Sequence, residues 1–241
     1  FSRCVIFGIA VIAILTVLGL IVAPFTAMQS DRHWFSNHCR NNLNQIALAL
    51  QSYHDHHGCF PPAVVADRQG RPMHSWRTLI LPYLDELPLY QQYRFDEPWN
   101  GPHNSKLVDV DLDIFRCDTD GSPERGLTNY VAVVGPKTAW PEGRALKLNE
   151  IADDRSRTVL VAEVAGLDIH WAEPRDLQIS PSLGLNRPME PSISSNHGKT
   201  REPGAFVAFC DGTVGYLDGR IASETLRQLL ERDDGGPQEG F

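Results

Sequence analysis

The residues able to do chemistry in this chain fall into a few close-set groups. The densest is His54-Asp55-His56-His57. His54 and His57 stand three apart, so a helix would put both rings on one face, a workable spacing for a divalent metal. No third ligand stands nearby, and histidines at an exposed helix end complement the C-terminal dipole without any metal. Asp109, Asp111 and Asp113 alternate with Val110 and Leu112. An EF-hand loop needs Gly at its sixth position; Ile114 stands there, so an edge strand with one acidic face is the better reading. Asp118-Thr119-Asp120-Gly121 is closer to a calcium loop, and Asp118 and Asp120 are retained as weak calcium candidates, with a capped turn as the plainer account.

Nucleophilic catalysis finds little support. There is no G-x-S-x-G and no signature around any cysteine. Ser194, Ser195 and His197 are close together but lie in a Pro-rich stretch without an orienting acid. Glu163, Glu173, Asp176 and His197 could converge as acid–base groups; turn formation and strand-edge hydrogen bonding are the preferred roles. No catalytic residue and no cofactor is assigned, and the chain is read as a non-enzyme, a membrane-bound hydrolase being the remote alternative. Trp76, Tyr83, Tyr90, Tyr93, Phe95 and Trp99 form an aromatic-rich stretch, either a surface for carbohydrate or peptide or core beneath loops, of which core is preferred.

The five cysteines are Cys4, Cys39, Cys59, Cys117 and Cys210. Cys4 borders an apolar leader. The other four form an even set that permits two disulfides in an oxidising compartment, and spacing does not choose among the three pairings. No C-x-x-C is present, which argues against a structural zinc site or a thioredoxin-type pair.

The elements that must position these groups begin with the leader, Val5 to Ala23, which holds no charge. As a helix it spans roughly 28 Å, close to the hydrocarbon core of a bilayer at about 30 Å. A single membrane span is expected, with a cleaved signal peptide as the alternative. Phe1, not Met, opens the chain, which points to a processed or an incomplete N-terminus. Arg3 precedes the span and a large acidic body follows, so the body is expected outside the cytoplasm. The net charge of −8 argues against nucleic acid as a partner.

Beyond a juxtamembrane stretch, residues 36–58 place Leu43, Ile46, Ala47, Leu50 and Tyr53 on one helical face, with Ser36 and Gly58 as start and stop. Residues 63–74 read as a loop. Ser75 caps a short helix that Pro82 ends, and a second turn runs to Tyr93. Residues 94–111 read as a surface loop with a short helix near Asn104–Val108. Strands are expected at Ile114–Cys117, Asn129–Val134, Thr158–Val164, Ala205–Phe209 and Val214–Leu217, the last two joined by an Asp211-Gly212 hairpin turn. Residues 174–204 form a long Pro-rich excursion, the expected variable contact surface. Ser223 caps a last amphipathic helix.

Several of these segments resemble a known family, the domain-of-unknown-function family numbered 1559, whose members often carry a prepilin-type N-terminus. Cys39-Arg40-Asn41-Asn42-Leu43-Asn44-Gln45 is similar to its C-x-N-N-L-K-Q helix signature, with Asn44 in place of Lys. Gly58, Phe60, Pro61 and Pro62 fit G-x-F-P-P. Ser75-Trp76-Arg77 through Leu81-Pro82-Tyr83-Leu84 resembles S-W-R…L-P-Y-L, Phe115-Arg116-Cys117 resembles F-x-C, and Thr128-Asn129-Tyr130-Val131 resembles T-N-Y-V. Trp171-Ala172-Glu173-Pro174 with Asp176-Leu177 is similar to W-x-E-P-x-D-L. His197-Gly198 and Phe209-Cys210-Asp211-Gly212-Thr213-Val214 are similar to the closing hairpin. The resemblance implies a pseudopilin-like layout and no established activity. Val5 departs from the glutamate of type IV pilins, which puts assembly in the usual pilin register in doubt. Cys59 and Cys210 depart from the family pattern together, which implies that they pair with each other and leaves Cys39 to Cys117.

The expected architecture is α+β: a transmembrane anchor at 1–24, a linker at 25–35, an extracytoplasmic domain at 36–233 in which an amphipathic helix packs on an antiparallel sheet with long loops, and a disordered tail at 234–241. The expected role is that of a single-pass, membrane-anchored structural or interaction protein in surface assembly or secretion. Its partners would be the bilayer through residues 5–23 and either further copies or other envelope proteins. The alternative is a tethered binding module for a small ligand, glycan or calcium.

Overall fold

The computed structural model describes residues 37–117, 125–180, 182–185, 192–195 and 204–235. The Val5–Ala23 run, the linker and residues 236–241 lie outside them, and no described helix is long and apolar enough to cross a membrane.

Helix α1 runs through residues 37–57. Its buried side chains, Cys39, Leu43, Ile46, Ala47 and Leu50, recur at the helical repeat and form the apolar stripe that the sequence predicts. Gly58, at φ +74°, ends it, and its N–H donates to His54 O at 2.7 Å. The following segment is a hairpin, not the expected loop: β1 (Val64–Ala66) pairs antiparallel with β2 (Pro72–Ser75). Asp67 Oδ1 accepts from the N–H of Gln69 and of Arg71, closing a turn whose φ-positive position is Gly70.

Helix α2 (Trp76–Leu79) starts on Ser75, whose side chain accepts from Arg77 N. A 3-10 turn at Leu81–Tyr83 and α3 (Leu87–Gln92) follow, then α4 (Asn104–Leu107). Asn104 is buried and supports the connecting loop, donating from Nδ2 to Arg94 O and accepting from Arg94 N. The predicted strands at Asp109–Asp113 and Ile114–Cys117 are absent; a 3-10 turn covers Asp113–Phe115. Asn42 Nδ2 holds this curl from α1, donating to Asp113 O and Arg116 O at 2.8 and 2.9 Å.

The main sheet has the order β3-β5-β7-β8, all antiparallel, built from Tyr130–Val131, Val159–Glu163, Ala205–Phe209 and Val214–Leu217. The single strand expected at 129–134 is split. Val133–Val134 (β4) leaves the main sheet and pairs in parallel with Leu177–Gln178 (β6). The switch occurs at Ala132, whose N–H is taken by a carboxylate, Asp176 Oδ1, at 2.9 Å. Asp211 and Gly212 make the β7–β8 turn as predicted, Gly212 at φ +88°.

Helices cover both faces. On one side Phe206 and Ala208 pack in the cluster that holds Leu43, Ile46 and Leu50 of α1. On the other Ala205, Val207 and Phe209 pack with Leu226, Leu229 and Leu230 of α5 (Ser223–Leu230). Strand β7 alternates residue by residue between the two clusters, as a strand buried on both faces must. Ala222, not Ser223, is the N-cap of α5. The tail expected from 234 begins docked: Asp234 N and Gly235 N both donate to the Asp153 carboxylate.

Candidate functional site

The centre of the molecule is a buried ion pair. Arg77 Nη2 donates to Asp176 Oδ1 at 2.6 Å, and the two side chains are 0% and 1% exposed. Arg77 arrives on the first turn of α2, fixed by Ser75 Oγ, which accepts from its Nη1, and by Tyr130 O, which accepts from its Nε. Its guanidinium lies over the Trp76 ring at 4.7 Å. Asp176 Oδ1 also accepts from Trp76 Nε1 and Ala132 N, while Oδ2 is buried and takes no hydrogen bond among the described residues. Burial pushes the Asp176 carboxyl up from its ordinary range and the Arg77 guanidinium down, each against the attraction of the other. The sequence treats Ser75-Trp76-Arg77 and Asp176-Leu177 as separate segments; the fold makes them one constellation. The available signal was Arg77 itself, a cation inside the apolar run Trp76–Leu81 that burial obliges to find an anion.

A groove of about 480 Å³ opens beside Asp176, lined in part by Leu167, Ile169, Arg175, Leu177 and Gln178. Its lining mixes apolar Leu167, Ile169 and Leu177 with polar Arg175, Asp176, Gln178, Ser180 and Ser182, a combination that suits a small amphipathic molecule.

The described acid–base candidates are each engaged by other groups. Glu163 is 1% exposed and its Oε2 accepts from Phe206 N. Glu173 binds Arg175 Nε at 2.7 Å and accepts from His170 N. Asp176 is held by Arg77, and His197 lies outside the described residues. Ser194 Oγ accepts from Ala165 N, and Ser195 Oγ donates to Gly204 O. Each of the described groups thus holds backbone or a neighbouring charge.

The histidines at the end of α1 point to different partners. His54 Nε2 accepts from Leu148 N, His56 Nδ1 donates to Ser52 O, and His57 stacks on Tyr53 with ring centroids 4.1 Å apart. Asp111 pairs with Arg116 at 2.8 Å rather than forming an acidic strand face. Asp118 and Asp120 lie outside the described residues. Of the aromatic stretch, Trp76 and Tyr93 are core, Tyr83, Tyr90 and Trp99 are half-buried, and Phe95 is exposed. Tyr93 and Phe95 enclose a buried histidine, His74, that sequence reading passed over. Its Nε2 faces Phe95 O at 3.1 Å and so must donate, leaving Nδ1 to accept from Tyr93 Oη–H at 2.9 Å.

Cys39 and Cys117 form a disulfide, as the resemblance implied. The expected second bridge is not formed: Cys59 and Cys210 are free. Cys59 is half-buried just past α1 with its Sγ 3.8 Å from His57 O, whereas Cys210 is fully buried at the end of β7. Burial, reinforced by the neighbouring Asp211 carboxylate and only partly offset by Arg155, pushes the Cys210 thiol up, away from the thiolate.

Residues 36–146 match the family model described as protein of unknown function (DUF1559). The match takes in α1, the first hairpin, Ser75-Trp76-Arg77 and the disulfide; Asp176 and the β7–β8 hairpin fall beyond it. No curated protein and no solved structure matches the chain.

Proposed function

From a chain whose residues 36–146 belong to the family of unknown function DUF1559, we infer a membrane-tethered, pseudopilin-like structural or interaction module that acts outside the cytoplasm. One observation carries this reading: the domain is covalently clamped at the end of α1 that follows the leader in sequence. At the leader-proximal end of α1, Cys39 is covalently bound to Cys117, its carbonyl accepts from Tyr130 Oη at 3.0 Å, and Asn42 holds two carbonyls of the 113–116 turn. A pull along α1 would therefore reach β3 and the turn that precedes it directly instead of peeling α1 from the sheet. The charge-free run Val5–Ala23 supplies the anchor, and the disulfide suits an oxidising compartment.

Fractionation of cells expressing the full chain tests this. The chain is expected in membranes after a high-salt wash and in cross-linked oligomers, and deletion of Val5–Ala23 should abolish both. Recovery of the full chain in the washed supernatant would overturn the reading. The groove beside Asp176 favours a second reading, a tethered binding module for a small ligand or glycan. That reading calls for a saturable melting shift with such a compound, lost when Leu167→Arg, at a partly buried position of the lining, obstructs the groove.

A further inference from the structure

Cys39 Sγ, Cys117 Sγ and a carboxylate oxygen of Glu163 lie within 4.8 Å of one another. All three residues are buried, at 0%, 3% and 1% exposure. Three elements bring them together independently. Cys39 sits on the core face of α1, one turn before Leu43. Cys117 N donates to Asn129 Oδ1 at 2.7 Å, and Asn129 Nδ2 donates to Val164 O, so the second sulfur is tied to the end of β5. Glu163 is the last residue of β5, its backbone registered against Tyr130 and its carboxylate holding Phe206 N. A carboxylate buried against two sulfurs adds nothing to hydrophobic packing, but two sulfurs and a carboxylate are a donor set for a zinc-class cation.

The geometry points to a redox-gated metal site: when the Cys39–Cys117 bridge is reduced, Cys39, Cys117 and Glu163 together bind one zinc-class divalent cation, leaving a fourth position to water. The bridge accepts two electrons and two protons from a dithiol reductant, which closes its own disulfide; the Cys39–Cys117 S–S bond breaks to two thiols. Metal binding then releases those two protons and forms two S–metal bonds and one O–metal bond. Tetrahedral zinc, with bonds of about 2.3 Å to sulfur and about 2.0–2.2 Å to oxygen, needs donors roughly 3.5–3.8 Å apart. That separation lies inside the present spread and is reached as the freed sulfurs move apart. The metal would then close the same loop as the disulfide, so α1 stays clamped to the sheet in either redox state.

The test uses the detergent-solubilised full chain carrying Cys59→Ser, which removes the half-buried thiol outside the site. The protein is reduced anaerobically with a phosphine, its thiols are counted by alkylation and mass, and Co²⁺ is titrated in. Expected are one equivalent bound, thiolate-to-cobalt charge-transfer bands with tetrahedral d–d absorption, displacement by Zn²⁺, and no such bands in the oxidised chain. Glu163→Gln, whose amide oxygen can still accept from Phe206 N, should keep the circular dichroism spectrum and weaken Co²⁺ binding by at least about tenfold. Absence of the bands in the reduced, folded chain would overturn the proposal. So would undiminished binding in Glu163→Gln, or a bridge that reduces only on unfolding.

Discussion

Arg77 and Asp176 meet across 99 residues of sequence, and their energetics follow from burial. Removing either partner leaves an uncompensated charge in the core, which typically costs about 3–5 kcal/mol. Arg77→Met and Asp176→Leu are each expected to lower the unfolding free energy by an amount of that order, read from the urea midpoint and slope. The double variant should recover much of the loss, because an apolar pair leaves no stranded charge; a double-mutant cycle measures it. His74 and His170 are expected to contribute acid sensitivity near neutral pH. Desolvation is the main cause that lowers both below the ordinary histidine value. The unfolded chain then binds more protons than the native one below about pH 6.5, so stability is complete above that value and declines as pH falls toward the lowered native values. Melting temperature should drop on acidification from about pH 6.5 to about 5, and His74→Leu should flatten part of that slope. A slope unchanged in His74→Leu would place the sensitivity elsewhere.

Helix α1 is the element on which the others depend. Its core face packs with the residues of β7 that point toward it, Phe206 and Ala208, and Gln51 Nε2 reaches the hairpin at Cys210 O, 2.9 Å away. Ile46→Ala should cost about 2–5 kcal/mol through lost transfer energy and the cavity left behind, read as a shift in unfolding midpoint. Leu48, 62% exposed on the opposite face, should tolerate the same substitution with little change. Strand β4 shows how an element is redirected. The β-branched run at 129–134 is uniform in pattern, yet Asp176 takes the Ala132 N–H that would otherwise continue a ladder, and the chain crosses to a parallel pairing with β6.

At the scale of the whole molecule, a sheet buried on both faces lies between two helices, and the disulfide spans 78 residues from the first of them to the turn before β3. Closing a loop of that length is worth about 4–5 kcal/mol in the chain-entropy account. The disulfide ties the start of α1 to the segment before β3, and the redox-gated site uses the same two sulfurs, so the tether reading and that site concern the same end of α1.

The periodicity of residues 43–50, Gly58 after them, the Asp211-Gly212 turn and the strands at β5 and β7 were legible from local sequence, because each rests on a backbone preference or on a repeat of apolar residues. The α+β class followed from them, and Arg77 inside an apolar run was a visible but unread clue. Other features depended on partners distant in the chain. Asn42 converts a predicted strand into a turn, and Asp176 splits another. Cys59 and Cys210 stay unpaired although the family pattern suggested a bond. Asp67 folds an apparent loop into a hairpin by local bonding too short-ranged for periodicity to register. Which carboxylate serves a guanidinium, and which sits against the sulfurs, is decided by where the packed chain excludes water, and no window of neighbouring residues carries that information.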